Sequence, residues 1–187
     1  MRTLWIYGFA LGLISSFSPA QPQSIPVDQE VAPLRPVVRQ VQWPSEKEIA
    51  PDRLAMLPAV SLAEIAVSPV PVLLPESPDL MARALVTTGP HWFAASISEE
   101  GHSIAINATR VMYETAQIEE VPPPADRVRG IPARVSASEG ILSVSWEEFG
   151  ISYLLRIGCD TPENPRCAND DYLRAVAESL TFMGGAR

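Results

Sequence analysis

Residues 133–157 read ARVSASEGILSVSWEEFGISYLLRI, and this stretch decides the fold. Apolar and polar side chains alternate along it, and the alternation is interrupted at Glu139-Gly140 and at Phe149-Gly150. Alternation is typical of strands with one buried face, and glycine in a two-residue connection favours a tight hairpin turn. The stretch therefore predicts three consecutive antiparallel strands.

The two turns fix a register in which one face of the three strands is apolar. A slip of one residue would expose that whole set to water, so the agreement between the turns supports the register. The side chains expected to point inward are Ala133, Val135, Ala137, Leu142, Val144, Trp146, Tyr153, Leu155 and Ile157.

A second hairpin is expected upstream, where residues 92–98 and 103–109 flank a turn at Glu100-Gly101. Its pairing again collects apolar side chains on one face. The expected pairs are Phe93 with Ala108, Ala95 with Ile106, and Ile97 with Ile104.

A C-terminal amphipathic helix is expected after the strands. Asn169 can cap it, and Gly184-Gly185 can end it. The apolar stripe at helical spacing consists of Leu173, Val176, Ala177, Leu180 and Met183. The predicted fold class of residues 70–187 is therefore α+β, with antiparallel β-hairpins in a meander packed against one C-terminal helix.

Residues 1–20 have the form of a secretion signal peptide. Arg2 provides a basic start before the uncharged run 4–17, and Ser18 and Ala20 suit a cleavage site after residue 20. The run is shorter than the roughly 20 residues that span a bilayer, so cleavage is expected rather than retention as an anchor. No transmembrane span then remains, and the expected location is periplasmic or secreted, in a bacterium.

Residues 21–69 are predicted to form a proline-rich, largely unstructured tether, because prolines interrupt every candidate helix between Pro22 and Pro58. The tether is expected to be a linker, with a ligand for an aromatic groove on a partner as the alternative. One helical turn is expected at 61–67, with Ser61 as N-cap and Glu64 in a capping box.

The only two cysteines, Cys159 and Cys167, are expected to form a structural disulfide. An oxidising compartment favours pairing, and the two thiols without nearby histidines cannot supply the four ligands of a zinc site. The bridge is expected to fix the start of the helix against the last strand.

Composition and motifs restrict the function. The net charge of −8 argues against binding to nucleic acid. Neither a nucleophile elbow nor a phosphate-binding glycine loop is present, so no catalytic residue, cofactor or metal is predicted. His91 and His102 are expected at opposite ends of one strand pair, with His102 solvated at a loop tip.

Some polar and aromatic residues are candidates for a ligand or partner surface, with a solvated sheet face as the alternative. These candidates are His91, Trp92, Arg110, Arg134, Ser143 and Ser145.

The stretch from Gly130 to Leu180 resembles small exported bacterial domains in which an antiparallel sheet is closed by a helix, as in some envelope-stress and anti-sigma-factor-associated proteins. The residues that carry the resemblance are Gly130, Trp146, Glu148, Gly150, Tyr153, Leu155 and Ala177-Glu178-Ser179-Leu180. The resemblance implies a module that contacts a partner and is not catalytic. The two cysteines and the long tether depart from it.

Three functions follow as hypotheses. The first is a periplasmic or secreted non-catalytic module that binds another envelope protein. The second is a small envelope hydrolase or ligand-modifying enzyme that uses Glu148, His91 or the serine face, and the third is a structural envelope component. An exposed sheet edge or an apolar groove would favour the first, and a cleft that joins His91, Arg110 and a carboxylate would favour the second.

Overall fold

A computed structural model describes residues 34–45, 51–114 and 124–187 of the chain. The described residues lie within one compact unit, Ala32–Arg187. The predicted signal peptide and residues 21–33 of the predicted tether fall outside the described residues.

A seven-stranded antiparallel sheet forms the centre of the fold, and the strands follow the order β3-β4-β5-β10-β9-β8-β7. Their bounds are β3 Leu85–Gly89, β4 Trp92–Glu99, β5 His102–Thr109, β7 Asp126–Val128, β8 Ile131–Ser138, β9 Ile141–Glu148 and β10 Ile151–Cys159. The remaining elements are β1 Arg35–Val38, α1 Pro51–Leu54, α2 Ala59–Val67, β2 Val72–Pro75, α3 Pro78–Met81, β6 Val111–Glu114, α4 Asp171–Glu178 and β11 Leu180–Gly184. The architecture is α+β, as predicted.

The predicted register is confirmed in all three hairpins. Val144 pairs with Val135 on one side and with Leu155 on the other, and Ile97 pairs with Ile104. The predicted turns Glu139-Gly140 and Phe149-Gly150 have positive φ at both of their residues. In the first turn, φ is 52° at Glu139 and 77° at Gly140. Such turns match the right-handed twist of the flanking strands, which explains why they set the register.

The inner face of the sheet is buried. Val144, Tyr153, Leu155 and Ile157 have no exposed surface, and helix α4 contacts β9 and β10 above them. The two-stranded ribbon of β2 and β11 completes the inner layer together with helices α2 and α3. The opposite, outer face of the sheet carries the alternate side chains.

The predicted C-terminal helix is shorter than expected. It ends at Glu178, and Leu180 and Met183, which were assigned to its stripe, belong instead to β11. Strand β11 pairs antiparallel with β2, which is distant in sequence. Because residues from Leu180 onward pair with this strand, the helix ends before them. The helix begins after Asp170, while the side chain of Asn169 accepts a hydrogen bond from the backbone N–H of Asp171.

The folded part does not start near Val70 as predicted, because described residues before Val70 also belong to it. Strand β1 pairs with β6, and Leu57 and Ile65 are buried in the core. Pro51 opens α1 and Pro58 precedes α2, positions where the lack of an N–H is harmless. Residues 34–45 and 51–69 are therefore part of the fold and not an unstructured tether.

Helix α2 seals one edge of the sheet. The Ser61 hydroxyl donates to the Ala84 carbonyl and accepts from the Val86 N–H, and a Glu64 carboxylate oxygen accepts from the N–H of Thr88 at 2.9 Å. Ser61 is thus an interior helical residue that binds β3, and the predicted capping box is wrong.

Candidate functional site

The outer face of the sheet carries most of the residues predicted for a ligand surface. Trp92, Arg134, Ser143 and Ser145 alternate with buried inward residues on β4, β8 and β9, so they share this face. Between them the strands present small side chains, namely Ala94, Ser96, Ser103, Ala105, Ser152 and Gly158. Asn107, Leu154 and Arg156 also project from this face, and the small side chains leave depressions between the larger ones.

Two depressions lie side by side on this face, and Ser152 borders both. The larger, of about 430 Å³, is lined by Pro132, Arg134, Ser145, Glu147 and Ser152 among others. The smaller, of about 240 Å³, is lined by Trp92, Asn107, Thr109, Ser152 and Leu154 among others. Together they cross β8, β9, β10, β5 and β4.

Trp92 forms one wall of the trough made by these two depressions, and the position of its indole ring is determined by a close contact with Gly89. A Cβ atom at Gly89, its cross-strand partner, would stand 2.5 Å from Cε2 and Nε1 of the indole. Only glycine leaves room for the ring there, so the indole lies over the end of β3. The side chain remains 39% exposed.

His91 and Arg110 lie together at the end of the β4–β5 hairpin, as expected from the register. The Arg110 N–H donates to the His91 carbonyl, and Nε of Arg110 donates to Nδ1 of His91 at 3.1 Å. The remaining guanidinium contact is to the Pro90 carbonyl. No carboxylate among the described residues joins this pair, so the catalytic grouping considered for His91 is not assembled there.

At the other end of the sheet, no described strand pairs with residues 134–138 of β8 on the side away from β9. Ser138 and Ile141 flank a two-residue turn and therefore exchange hydrogen bonds, as do Ser136 with Ser143 and Arg134 with Ser145. The N–H and C=O groups of the intervening residues, Val135 and Ala137, point away from β9. Within the described part of the chain, β7 covers β8 only at residues 131–133.

Prolines occupy the three positions before Ala125, which a longer β7 would place along the rest of this edge. Asp126 pairs with Ala133, so a longer β7 would place Pro124 beside Val135 and the two preceding prolines beyond it. Prolines have no N–H to donate to a strand ladder. Proline at these positions could not donate a ladder bond to the carbonyl groups of Val135 and Ala137.

A buried polar cluster, which the sequence analysis missed, lies at the tip of the β4–β5 hairpin. The predicted solvation of His102 is wrong, because the residue is 2% exposed. Its Nε2 lies 3.3 Å from both the Glu99 carboxylate and the Tyr172 hydroxyl. Its parity with Ile104 and Ile106 could have shown that it points inward.

Arg166, from the loop between the two cysteines, joins this cluster. Its Nη1 lies 3.1 Å from Nδ1 of His102, and Nδ1 also lies 3.5 Å from the Glu100 carbonyl. The guanidinium also lies over the Tyr172 ring. Burial raises the pKa of the Tyr172 hydroxyl, while Arg166 lowers it and Glu99 raises it.

The predicted disulfide between Cys159 and Cys167 is present. It closes a loop in which the Asn164 amide donates to the Gly101 carbonyl at 2.8 Å. The bridge thus ties the loop to the hairpin tip and to the end of β10. Disulfides of this kind are typical of proteins outside the reducing cytosol.

Glu148, the carboxylate considered for catalysis, is held in a structural network. It receives two hydrogen bonds from the guanidinium of Arg129 and one from the Trp146 indole. Arg129 also donates to the Leu180 carbonyl and, through its backbone, to Glu178. The network connects the β7–β8 turn to the end of α4.

Tyr153 lies beneath this network at the centre of the core. Its hydroxyl donates to the Pro71 carbonyl at 2.8 Å, and its ring stacks on Trp146. Burial raises the pKa of Tyr153 well above its ordinary value; the nearby Glu148 carboxylate raises it further and Arg129 lowers it.

The described residues contain no group of three or more metal-ligating side chains and no helix long and apolar enough to cross a bilayer. Comparisons with protein families, curated proteins and solved structures give no match to this chain.

Proposed function

We propose that this chain is an exported, non-catalytic binding module that takes up an extended segment of another envelope protein as an added strand beside β8. The single observation that carries the proposal is that, within residues 34–45, 51–114 and 124–187, no strand pairs with β8 beside the backbone of Val135 and Ala137. An added strand would pair with these N–H and C=O groups, and main-chain hydrogen bonds supply affinity in this mode of recognition.

The contrast between the two ends of the sheet supports the proposal. Exposed strand edges promote unwanted association, and proteins generally protect them. Here two side chains of α2, Ser61 and Glu64, cover the β3 edge by accepting hydrogen bonds from its N–H groups. At the other end, Ser136, Ala137 and Ser138 are all exposed. An edge left open where its counterpart is sealed is expected of a binding site.

The arrangement of the titratable groups favours binding over hydrolysis. Glu148 is engaged by Arg129 and Trp146, so it lacks the freedom of a general acid or base. The His91 ring accepts a hydrogen bond from Arg110 and has no carboxylate neighbour among the described residues. The alternative of a small envelope hydrolase thus lacks an assembled catalytic group in the described part of the chain.

A matched pair of substitutions at Ala137 tests the proposal. Ala137→Pro removes the N–H that faces the open edge and leaves the β8–β9 hydrogen bonds intact, whereas Ala137→Val keeps that N–H. Each variant is expressed in the cells of origin, crosslinked in the envelope fraction, and compared with the parent chain for the partner it recovers. Circular dichroism confirms that both variants fold.

We expect Ala137→Val to recover the same partner as the parent and Ala137→Pro to lose it by at least tenfold. With the purified partner, the backbone amides of Val135 and Ala137 should become protected from hydrogen exchange. Equal recovery by a folded Ala137→Pro variant, or protection confined to other strands, would overturn the proposal.

A further inference from the structure

We propose that the loop between Cys159 and Cys167 is a pH-sensitive latch, which His102 holds closed through Arg166 and releases when its ring takes up a second proton. The latch lies at the tip of the β4–β5 hairpin and works independently of the strand partner proposed for β8. The contacts of the two His102 ring nitrogens support it, as does the difference in exposure between His102 and Arg166.

The Nε2 atom of His102 faces the Glu99 carboxylate. The two lie 3.3 Å apart, and the Tyr172 hydroxyl is at the same distance from Nε2. A carboxylate accepts hydrogen bonds and cannot donate them, so this neighbour favours a proton on Nε2 in both charge states of the ring. The proton that the ring gains or loses with pH is therefore the one on Nδ1.

The Nδ1 atom of His102 has two neighbours of opposite character. The Arg166 guanidinium, which can only donate, has its Nη1 at 3.1 Å, and the Glu100 carbonyl, which can only accept, lies at 3.5 Å. An unprotonated Nδ1 accepts a bond from Arg166. A protonated Nδ1 has no lone pair for Arg166, belongs to a ring of like charge, and has the Glu100 carbonyl within reach. Uptake of the proton thus exchanges one partner for the other.

Arg166 is the partner that moves in this exchange. The His102 side chain has no exposed surface, whereas 43% of the Arg166 side chain is exposed. Moving the ring would disturb the buried groups that surround it. The guanidinium can turn into water and recover its hydrogen bonds there, so its release costs less.

The other charged or titratable neighbours do not replace the bond that Arg166 loses. On β4, Glu99 lies 3.3 Å from Nε2 of His102 but 4.0 Å from the Arg166 guanidinium, so a charged His102 is the nearer cation for this carboxylate. On α4, Tyr172 offers Arg166 the face of its ring, which is a weak contact for a cation that water also reaches. On β10, the cross-strand neighbour of His102 is Cys159, whose sulfur is part of the disulfide.

The loop keeps uncharged anchors after Arg166 is released. The Asn164 amide donates to the Gly101 carbonyl at 2.8 Å, and the disulfide holds both ends of the loop. The Arg166 N–H donates to the Asn164 side-chain oxygen at 3.0 Å, so the two residues are coupled. The loop therefore loosens between its ends without leaving the hairpin, and the change is confined to residues 160–166.

Nuclear magnetic resonance of the full chain between pH 8 and pH 5 tests the latch. Histidine side chains ordinarily change charge in this range, while carboxylates ordinarily stay charged. Ring nitrogen spectra detect the proton on Nδ1 of His102. Hydrogen exchange of the loop amides, divided by the intrinsic rate at each pH, measures the opening of the loop. We expect the protection of the Asn164, Arg166 and Cys167 amides to fall about tenfold as Nδ1 becomes protonated, because one charge-assisted bond is lost.

Variants separate His102 from other causes of a pH response. His102→Gln keeps a polar side chain that does not titrate and should abolish the response of the loop, whereas His91→Gln, at the opposite end of the hairpin, should keep it. Arg166→Gln should leave the loop equally loose at pH 5 and pH 8. It should also let His102 take up its proton at a higher pH, because a neighbouring cation has been removed.

Three results would overturn the proposal. They are protonation of Nδ1 in this range with constant protection of the loop, no proton on Nδ1 down to pH 5, and a parent-like response of a folded His102→Gln variant. If His102→Gln does not fold, the Arg166→Gln variant decides, since an unchanged pH of protonation of His102 in that variant contradicts the latch.

Discussion

Leu154 and Leu155 are adjacent residues of β10, and replacing each by alanine separates the two faces of the sheet. Leu155 has no exposed surface and pairs with Val144 and Ile106, which are equally buried. Leu154 is only partly buried and lies on the outer face, where it lines the smaller depression. The same chemical change is therefore made once in a packed core and once beside solvent.

Truncation of a fully buried leucine loses its transfer free energy and leaves a cavity, which together cost about 3 kcal/mol. For a folded unit of this size each kcal/mol lowers Tm by roughly 2–4 °C, so Leu155→Ala should unfold about 6–12 °C lower than the parent. Leu154→Ala should cost at least about 1 kcal/mol less than Leu155→Ala, since Leu154 is only partly buried and borders an open depression, so its truncation leaves no enclosed cavity.

Thermal unfolding followed by circular dichroism, together with urea titration, measures both variants under one set of conditions. Comparable losses for the two leucines, or a larger loss for Leu154→Ala, would refute the assignment of the inner and outer faces. The comparison does not depend on the absolute stability of the chain, because the parent is common to both.

Other predictions concern the bridge, the core tyrosine and the sealed edge. Removing the disulfide with Cys159→Ser and Cys167→Ser, whose separation is 8 residues, should cost about 2.5 kcal/mol of unfolding free energy in urea titrations. The folded state keeps the Tyr153 proton to a higher pH than the unfolded chain does, so it binds more protons above about pH 10. The free energy of unfolding should therefore fall as the pH rises above that value. Tyr153→Phe should lower the free energy of unfolding by about 1 kcal/mol at neutral pH, and its free energy of unfolding should fall less steeply at alkaline pH. Glu64→Ala frees the N–H of Thr88 at the β3 edge and should produce concentration-dependent association in analytical ultracentrifugation, whereas an unchanged monomer would contradict the sealing role.

The sheet could be predicted from the sequence because its information is local. Two-residue turns with glycine at their second position determine which residues face each other, and the alternation in residues 133–157, broken only by the outward Ile141 and Leu154, leaves one register that buries the apolar set. The pairs of Val144 with Val135 and with Leu155 follow from the sequence alone.

The errors lie where a distant partner decides the structure. Leu180 fits the helical stripe by spacing, but β2, which is remote in sequence, draws it into a strand. The short elements before residue 70 are stable only against the rest of the fold, as the burial of Ile65 shows, so composition suggested a tether. Propensity and periodicity do not contain these contacts.

The candidate site was partly predictable for the same reason. Alternation placed Arg134, Ser143 and Ser145 on one face of the three strands in residues 133–157 and Trp92 on the polar face of the upstream hairpin. The pairing of β5 with β10, which no local pattern predicts, brings them onto one surface. The open edge at Val135 and Ala137 depends on the length of β7 relative to β8, which no local pattern specifies. The triple proline before β7 is the signal that could have indicated it.

Residue-resolved hydrogen exchange of the backbone amides in β8 is the most direct test of the open edge. The amides of Arg134, Ser136 and Ser138, which bond to β9, should exchange slowly, while those of Val135 and Ala137 should exchange close to the rate of an unstructured peptide. Protection of Val135 and Ala137 in the free chain, at a level equal to their neighbours, would show that the edge is already occupied and would contradict the proposed mode of binding.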